Sequence, residues 1–405
     1  MGEIRFLHTA DLHLDTPFKG MSDFPEAHFE KLRNSTFQAF ARFVDYAVKT
    51  KPDFIVIVGD IYDGEDRSLR AQLKFQEGMN ALKEAKIPVF LSYGNHDHLQ
   101  GTWTRFDLPE NVHVFKEKVE KRSLKVRGET INLYGFSYPE RHVREAIIDD
   151  YPVAESTAFH IGLLHGSING DESHAVYAPF TKAALLSKQY DYWALGHIHK
   201  RQHIHHEPPI VYPGNIQGRH RKEQGMKGFY EVILSKKEAD LRFIPTSVIT
   251  FEKLSVSCKG IRHAGEWFAL CEAAINDFKE QSSAAVIALH MMEIDEESAD
   301  LFQQSTKEEW LNALREHLQH HSTFIWISDI HYEQGTINNE FSKALVNPVL
   351  ETIGEWETEQ WNDVLSELYQ HPRSIKFLDG LSTADFKDIQ EDVGKILLAE
   401  LTNKR

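Results

Sequence analysis

The sequence predicts an α/β fold, in which a layered sheet domain with helices outside is followed by a small α+β domain and a helical C-terminal segment. Short apolar runs rich in β-favouring residues alternate with amphipathic stretches through the first half, a pattern typical of sheets covered by helices. A helix–strand–helix–strand pattern follows, and the last part of the chain is helix-like and acidic. At 405 residues the chain is too long for one compact core, so two or three domains are expected.

The first half supplies the predicted sheet domain. A strand at residues 4–10 leads into an amphipathic helix from about Pro25 to Lys49, and Lys51-Pro52 ends that helix. The later elements are expected in this order: a buried strand at 54–58, a helix at about 69–86, a strand before Gly94, short strands within 112–136, a helix near 141–148, and strands within 209–257.

Domain boundaries are predicted near residues 257 and 335, which gives domains at 1–257, 258–335 and 336–405. The middle domain would contain a helix at 262–279, a strand at 284–291, a helix at 306–320 and a strand at 323–331. The C-terminal segment would contain helices at Asn339–Thr352, Glu355–Tyr369 and Ala384–Thr402, separated by His371-Pro372 and Gly380.

Five short polar motifs each follow one of the apolar runs in the first half. They are Asp11-Leu12-His13, Gly59-Asp60, Gly94-Asn95-His96-Asp97, His165-Gly166 and Gly196-His197-Ile198-His199. Because ligands collect beyond the carboxyl ends of strands in an open α/β sheet, five strands are expected to deliver these side chains to one crevice. Two cations held close together need an anion between them, and Asp60 on the central apolar strand is the natural bridge. The motifs therefore predict a two-metal phosphoesterase site.

Each motif alone has an ordinary alternative, either a capped turn or a solvated histidine. In a strand, His197 and His199 would point to the same face, so both could reach one site. The occurrence of all five motifs in order, each at a strand exit, favours the metal site. Carboxylate, carboxamide and imidazole donors suit manganese, iron or zinc better than an all-oxygen magnesium site.

The motif series resembles the calcineurin-like metallophosphoesterase superfamily, which implies its sandwich fold. The forms of the motifs resemble more narrowly its SbcD-type DNA-repair nuclease branch, and the segment Tyr212–His220 brings the chain closest to the bacterial YhaO-type group, whose members are regarded as DNA-repair exonucleases. The forms that carry this resemblance are His-Thr-Ala-Asp-Leu-His, Val-Gly-Asp-Ile-Tyr-Asp, Gly-Asn-His-Asp and Leu-Gly-His-Ile-His-Lys.

The resemblance implies two divalent ions, with Mn²⁺ expected and Fe²⁺ or Zn²⁺ as alternatives. One ion would be held by Asp11, His13, Asp60 and His199, and the other by Asp60, Asn95, His165 and His197. His96 would face the scissile phosphate and protonate the departing oxygen, a role that needs a pKa near the working pH. Asp97 would either orient His96 or cap the turn. Asp63 stands where some nuclease members carry histidine.

The formal net charge of −16 argues against a stand-alone DNA-binding protein. A basic, histidine-rich segment nevertheless follows the last motif, and it offers contacts to a phosphodiester backbone. The predicted substrate contacts are Lys200, Arg201, Arg219 and His220. The alternative is a solvated hairpin that happens to be basic.

Partners follow from the resemblance and from the C-terminal segment. Its amphipathic helices either pack on the rest of the chain and on each other, or dock the coiled coil of an SMC-like (SbcC-type) ATPase, as in the resembled nucleases. In those nucleases the middle domain is a cap that helps to select and orient DNA. A homodimer through the N-terminal helices is also expected. Two cysteines, with no signal segment and no membrane-spanning run, predict a cytoplasmic protein with no membrane partner.

The function predicted from the sequence is therefore a metal-dependent DNA phosphodiesterase, an exonuclease-type repair enzyme that activates water for in-line attack. One alternative is a phosphoesterase with another substrate, either a cyclic nucleotide or other small molecule or a phosphoprotein. The other alternative is a non-catalytic adaptor of an SMC-like ATPase complex. The five motifs serve all the phosphoesterases equally, so the narrower motif forms, the extra domains and the basic segment favour DNA.

Overall fold

The structure is a computed structural model that describes residues 2–19, 21, 24–64, 68–101, 106–169, 177–279, 284–302, 304–318, 324–332, 340–366, 385–387, 389–390 and 392–394. In these ranges no helix is both long enough and apolar enough to cross a bilayer.

The described residues form fifteen strands and eight α-helices. The strands are β1 (Ile4–Ala10), β2 (Phe54–Val58), β3 (Val89–Ser92), β4 (Val112–Val114), β5 (Glu120–Val126), β6 (Glu129–Gly135), β7 (Phe159–His165), β8 (Tyr192–Gly196), β9 (Gln202–His205), β10 (Ile210–Tyr212), β11 (Gly228–Leu234), β12 (Ala239–Pro245), β13 (Thr250–Ser257), β14 (Ala285–Met292) and β15 (Ile325–Tyr332). The helices are α1 (Glu26–Thr50), α2 (Leu69–Glu84), α3 (Lys182–Ser187), α4 (Ala264–Lys279), α5 (Glu296–Phe302), α6 (Lys307–His317), α7 (Glu340–Gly354) and α8 (Thr358–Val364).

Two six-stranded sheets form the first domain as a sandwich. One has the order β12-β11-β1-β2-β3-β4 and the other β5-β6-β7-β8-β10-β9. Their facing sides share an apolar core, in which the ring of Phe6 on β1 meets the ring of Tyr192 on β8 edge to face at 5.1 Å. In each sheet the central strands run parallel, so their carboxyl ends lie at one edge. The predicted α/β sandwich is confirmed.

Helices α1 and α2 cover the outer face of the first sheet, and the short helix α3 packs with loop residues on the outer face of the second. The buried stripe of α1 contains Phe40 and Phe43, and it packs with Phe75 of α2 against β1, β2 and β3. On the other sheet, Trp193 of β8 donates its indole N–H to the carbonyl of Leu185 in α3 at 3.2 Å. Burial of these apolar faces supplies the main stabilisation of the sandwich.

The prediction of a helix near residues 141–148 is wrong. Only a short 3₁₀ turn forms, at Ile147–Asp150. In such a helix the carbonyl of Val143 would accept a hydrogen bond from the amide of residue 147, but it instead accepts one from the amide of Ala178 at 2.7 Å. A tertiary hydrogen bond has therefore replaced the local one.

The third sheet is parallel, with the order β13-β14-β15, and α4 and α6 cover one of its faces. Its first strand, β13, comes from residues before the predicted boundary at 257, so that boundary would divide a hydrogen-bonded sheet. The domain limits stay a prediction, and this pairing favours a boundary before Thr250. Helix α5 was not expected from the sequence.

An apolar cluster connects the small domain to the sandwich. It contains Phe24 and Leu32 from the N-terminal part of the chain and Phe251 and Val286 from the third sheet. The ring of Phe24 lies 5.2 Å from that of Trp326 on β15. The small domain is thus packed against α1 and the segment that precedes it.

The C-terminal segment is helical where it is described. The ring of Trp361 on α8 lies 5.2 Å from that of Trp356 and 5.2 Å from that of Phe386. These contacts agree with the alternative in which the helices pack on one another. Most of the predicted helix Ala384–Thr402, together with His371-Pro372 and Gly380, lies outside the described residues.

Candidate metal centre

All five motifs lie at or just beyond strand ends. Asp11 follows β1, Asp60 follows β2 and Asn95 follows β3 in the first sheet. His165 is the last residue of β7, and His197 directly follows β8 in the second sheet. The site therefore lies where the carboxyl edges of two sheets meet.

Glycines and strained backbone allow the close approach of these loops. Gly59 has φ of +75°, and a Cβ there would lie 2.1 Å from Nδ1 of His165. A Cβ on Gly94 would lie 2.3 Å from Oδ1 of Asp60. Four of the predicted ligands also have positive φ, a conformation that is costly for non-glycine residues and concentrates at functional sites. They are Asp11, His13, Asp60 and His197.

His13 and His199 converge on one side of the site. Their Nε2 atoms lie 3.0 Å apart, and Oδ1 of Asp11 lies 4.0 Å from Nε2 of His199. The donor atoms of these three residues are close enough together to hold one ion. Oδ2 of Asp60 lies 3.7 Å from Nε2 of His13. These are the four residues predicted for the first ion.

The second cluster forms around His165. Its Nε2 lies 3.0 Å from Oδ1 of Asn95 and 3.5 Å from Oδ2 of Asp60. The ring of His197 lies 5.3 Å from the ring of His165, centroid to centroid. The same oxygen of Asp60 thus faces a histidine of each cluster, which is the position required of a bridge.

The prediction that His197 and His199 lie on a strand and point to the same face is wrong. Strand β8 ends at Gly196, and His197 has φ of 100°, so these two histidines extend from a loop. The amide of His197 donates to both carboxylate oxygens of Asp11 at 3.1 Å, and this fixes the turn. Tertiary hydrogen bonds, and not strand alternation, bring both rings to the site.

The donor set fits divalent ions. Nδ1 of His199 faces the carboxylate of Glu223 at 2.7 Å, and Nδ1 of His13 faces the carboxylate of Asp63 at 3.3 Å. The contact with Glu223 favours the Nδ1–H tautomer of His199, which directs the Nε2 lone pair of His199 at Nε2 of His13, 3.0 Å away. With an Nδ1–H tautomer of His13 as well, two lone pairs would face each other, and a cation between or beside them would remove their repulsion. A second nitrogen proton facing a carboxylate is typical of metal-ligating histidine.

His165 is held in the same way. Its Nδ1 lies 3.1 Å from the carbonyl oxygen of Val58, so Nε2 faces the oxygens of Asn95 and Asp60 with a lone pair or a second proton. Burial acts to lower the pKa of His165, but the charges of Asp60 and Asp11 outweigh it and raise the pKa to about 9. A proton or a metal ion can fill this position, so metal ions and protons compete for it.

Burial also shifts the pKa values of the other ligands. It raises the pKa of Asp11 to about 8, with the charge of Asp60 adding to the effect and His165 opposing it. Burial, together with the charge of Arg219, lowers the pKa of His13 to about 3 and that of His199 to about 4. Both histidines are therefore neutral ligands at neutral pH. Because Asp11 must lose its proton to bind a metal ion, affinity is expected to rise with pH.

His96 lies at the mouth of the cluster, half-buried. Its ring lies edge-on to that of His13 at 5.1 Å, and its amide donates to Oδ1 of Asp60 at 3.0 Å. Asp97 accepts from the amides of Ile61 at 2.7 Å and Gly94 at 2.6 Å. These bonds favour the turn-capping alternative for Asp97.

The four predicted substrate contacts divide into two groups. Lys200 and Arg201 directly follow the last motif in the sequence and are exposed, and the guanidinium of Arg201 lies 3.7 Å from the ring centroid of Phe243. Arg219 instead donates to Asp63 at 2.7 Å and is only 15% exposed, while His220 lies 3.3 Å from Glu223. The contacts of Arg219 are thus internal to the protein.

Glu223 is the site residue that sequence reasoning missed. It lies between β10 and β11, and its side chain is 7% exposed. Its carboxylate faces His199 and accepts from the amide nitrogen of the Asn215 side chain at 2.7 Å. The only local signal was an acidic residue within a basic segment, and nothing in that pattern indicates burial.

Comparison with known proteins agrees with this geometry. Residues 4–201 match the family described as calcineurin-like phosphoesterase. Over 403 residues the chain is 36% identical to the "uncharacterized metallophosphoesterase YhaO" of Bacillus subtilis strain 168, and the alignment covers 98% of each protein. The chain belongs to the calcineurin-like phosphoesterase family. It is a hydrolase of that family, whose members use divalent metal ions, so the predicted enzyme class is confirmed at this level.

More distant relatives are archaeal proteins named "DNA double-strand break repair protein Mre11". That of Methanocaldococcus jannaschii is 25% identical over 271 residues, which cover 63% of this chain and 67% of that protein. That of Methanosarcina acetivorans is 28% identical over 266 residues, covering 62% of this chain and 40% of that protein.

Proposed function

We propose that the protein is a metal-dependent DNA phosphodiesterase, an exonuclease-type enzyme of DNA repair. The observation that carries the proposal is the pair of donor clusters that share Oδ2 of Asp60, with His96 beside them. Relatives named for double-strand break repair support DNA as the substrate.

In the proposed mechanism the two clusters hold two divalent ions, with Mn²⁺ expected. Asp11, His13, Asp60 and His199 would hold one, and Asp60, Asn95, His165 and His197 would hold the other. The chemistry supplied at this site by bound ions would be activation of water for in-line attack and neutralisation of charge on the phosphate. His96 donates a proton to the departing oxygen, and Asp97 holds the loop that presents His96.

The exposed cations beside the clusters favour a polymeric substrate. Lys200 directly follows the last motif, and Arg201 is held in place by Phe243. Each can contact a phosphate flanking the scissile one. Since the whole chain carries a charge of −16, DNA affinity is expected to be weak and to fall steeply with salt.

The test is turnover on competing substrates. The purified chain with Mn²⁺ is incubated with end-labelled linear single- and double-stranded DNA, a cyclic nucleotide and a phosphopeptide, with EDTA as control. Metal-dependent shortening of the DNA supports the proposal. If the DNA stays intact while the cyclic nucleotide or the phosphopeptide is hydrolysed, the protein is instead a phosphoesterase for small molecules or for phosphoproteins. A chain that binds metal and turns over none of them would favour the adaptor alternative.

A homodimer through the N-terminal helices is part of the proposal. Leu69 and Leu73, one turn apart on α2, are 61% and 45% exposed, which is unusual for two neighbouring leucines. We expect Leu73→Glu to convert a dimer into a monomer in sedimentation velocity, because it buries a charge in the interface. Leu270→Glu changes an equally exposed leucine, at 42%, on α4, and it should remain dimeric. A wild-type monomer at micromolar concentration would refute the dimer.

We also propose that the C-terminal helices dock the coiled coil of an SMC-like, SbcC-type ATPase. Val349 on α7 and Val364 on α8 are 44% and 59% exposed. Other residues of the same two helices line a cavity of about 630 Å³ together with Trp356 and Phe386. Val364→Glu should abolish co-purification with such an ATPase. Val153→Glu, at a site 47% exposed in the first domain, should not. Equal recovery of both variants would refute the docking site.

A cytoplasmic location completes the proposal. Both cysteines, Cys258 and Cys271, are buried free thiols, as expected in a reducing compartment.

A further inference from the structure

Two carboxylates outside the predicted ligand set contact the two histidines of the first cluster from behind. Glu223 lies 2.7 Å from Nδ1 of His199, and Asp63 lies 3.3 Å from Nδ1 of His13. Asp63 and Glu223 are 16% and 7% exposed, so water competes little for either carboxylate. Nδ1 of His165 instead faces the carbonyl of Val58 at 3.1 Å, and the carboxylate oxygen 4.0 Å from the same nitrogen belongs to Asp11, which is itself a predicted ligand.

Arg219 joins the two carboxylates. Its Nη1 donates to Oδ1 of Asp63 at 2.7 Å, and its backbone amide donates to Oε2 of Glu223 at 2.8 Å. Its Nη2 lies 3.3 Å from Nδ1 of His199, and its Nε, 3.8 Å from Oε1 of Glu223, makes no hydrogen bond within the described part of the chain. The guanidinium therefore lies between Asp63 and Glu223. Burial acts to raise the pKa of both carboxyl groups, but the neighbouring histidines, with a smaller contribution from the charge of Arg219, outweigh burial and hold both pKa values below the usual range.

The two oxygens of Glu223 have different partners. Oε2 accepts from the side-chain amide of Asn215 at 2.7 Å and from the backbone amide of Arg219 at 2.8 Å. Oε1 faces Nδ1 of His199, with Nε2 of His220 at 3.3 Å. Because two N–H donors occupy Oε2, the position of Oε1 toward His199 is fixed.

We propose that Asp63, Glu223 and Arg219 form one positioning unit, which keeps His13 and His199 as Nδ1–H tautomers with Nε2 directed at the first metal ion. The inference rests on the proposed metal site, and it assigns Arg219 to positioning and not to contact with the substrate. Loss of either carboxylate should therefore lower the affinity for the first ion and leave the affinity for the second ion unchanged.

Glu223→Gln gives the sharpest test. The amide carbonyl must take the place of Oε2, since two donors point there, and the amide nitrogen then faces Nδ1 of His199. His199 must accept this hydrogen bond, which moves its proton to Nε2 and removes the lone pair needed by the metal. Replacing a carboxylate behind a metal-ligating histidine typically costs about 10–100-fold in metal affinity.

The experiment measures Mn²⁺ binding to the full chain by calorimetric titration and electron paramagnetic resonance, without substrate. Glu223→Gln and Asp63→Asn should each lower the affinity for one of the two ions by about 10–100-fold. In ¹⁵N-histidine spectra of the metal-free protein, the Glu223→Gln variant should show His199 with its proton moved from Nδ1 to Nε2. Glu231→Gln is the matched control, because Glu231 is a buried carboxylate paired with Arg5 and Arg242 far along the sheet.

The outcomes separate this inference from the proposed function. Two ions bound with wild-type affinity in both variants would overturn the positioning unit, and so would equal weakening of both ions. If Glu223→Gln does not fold, Asp63→Asn on the opposite side carries the same test. A wild-type chain that binds no divalent ion would overturn the metal site itself. Metal binding without DNA cleavage would overturn only the assignment of DNA as the substrate.

Discussion

Replacement of Asp60 by alanine is expected to abolish binding of both metal ions and all turnover together. Oδ2 of Asp60 lies 3.7 Å from His13 and 3.5 Å from His165, so one oxygen serves both clusters. Without it, each ion loses an anionic ligand and the two positive charges face each other with no anion between them. In the predicted ligand sets only Asp60 is shared by the two ions, although Oδ1 of Asp11 also lies 4.0 Å from a histidine of each cluster.

Asp60→Asn is the more informative variant. It keeps the size of the side chain and an oxygen that can accept from the amide of His96, but it removes the charge. Stoichiometry by calorimetry and the Mn²⁺-induced rise in melting temperature measure the effect. We expect two ions per chain for the wild type and none at micromolar Mn²⁺ for the variant, with no thermal shift because ligand-linked stabilisation requires binding. Two ions retained in Asp60→Asn would refute the bridge.

Replacement of His96 by alanine is expected to have the opposite signature, with both ions retained and turnover lost. The ring of His96 lies beside the first cluster but outside both predicted ligand sets, and it is accessible from solvent. Loss of a general acid typically costs about 10²–10⁴-fold in rate. The metal titration of the variant should match the wild type within error.

The leaving group distinguishes proton donation from other roles of His96. The leaving group of a 4-nitrophenyl phosphodiester is 4-nitrophenolate, a stabilised anion that needs no proton, so His96→Ala should lose far less activity on this substrate than on DNA. His206→Ala serves as the control, because His206 is an exposed histidine that directly follows β9. This variant should behave as wild type. An equal loss on both substrates would assign His96 to charge stabilisation or positioning instead.

The sequence determined the sandwich and the types of donor. Apolar runs and amphipathic stretches are local patterns, so the strands at 4–10 and 54–58 and the helices α1 and α2 were predicted within a few residues. The order of the motifs at the carboxyl ends of parallel strands was sufficient to predict that their side chains would meet. That prediction needs only the direction of the strands, which alternation with helices already indicates.

The sequence could not predict features that depend on pairing between distant segments. The assignment of β13 to the third sheet depends on hydrogen bonds to β14 and not on its own residues. The absence of a helix near Val143 depends on a hydrogen bond from Ala178. In both cases the local pattern was compatible with another structure, and a tertiary contact decided between them.

The positioning of the site was decided in the same way. Arg219 and Asp63 are 156 residues apart, and His13 and His199 are 186 apart, so no local pattern records that they meet. The sequence by itself determined which donors the site contains and at which edge of the sheets they gather. Only the tertiary structure decided which oxygen of Asp60 faces both clusters and which carboxylates stand behind the histidines, because these depend on side-chain packing between loops that the sequence places far apart.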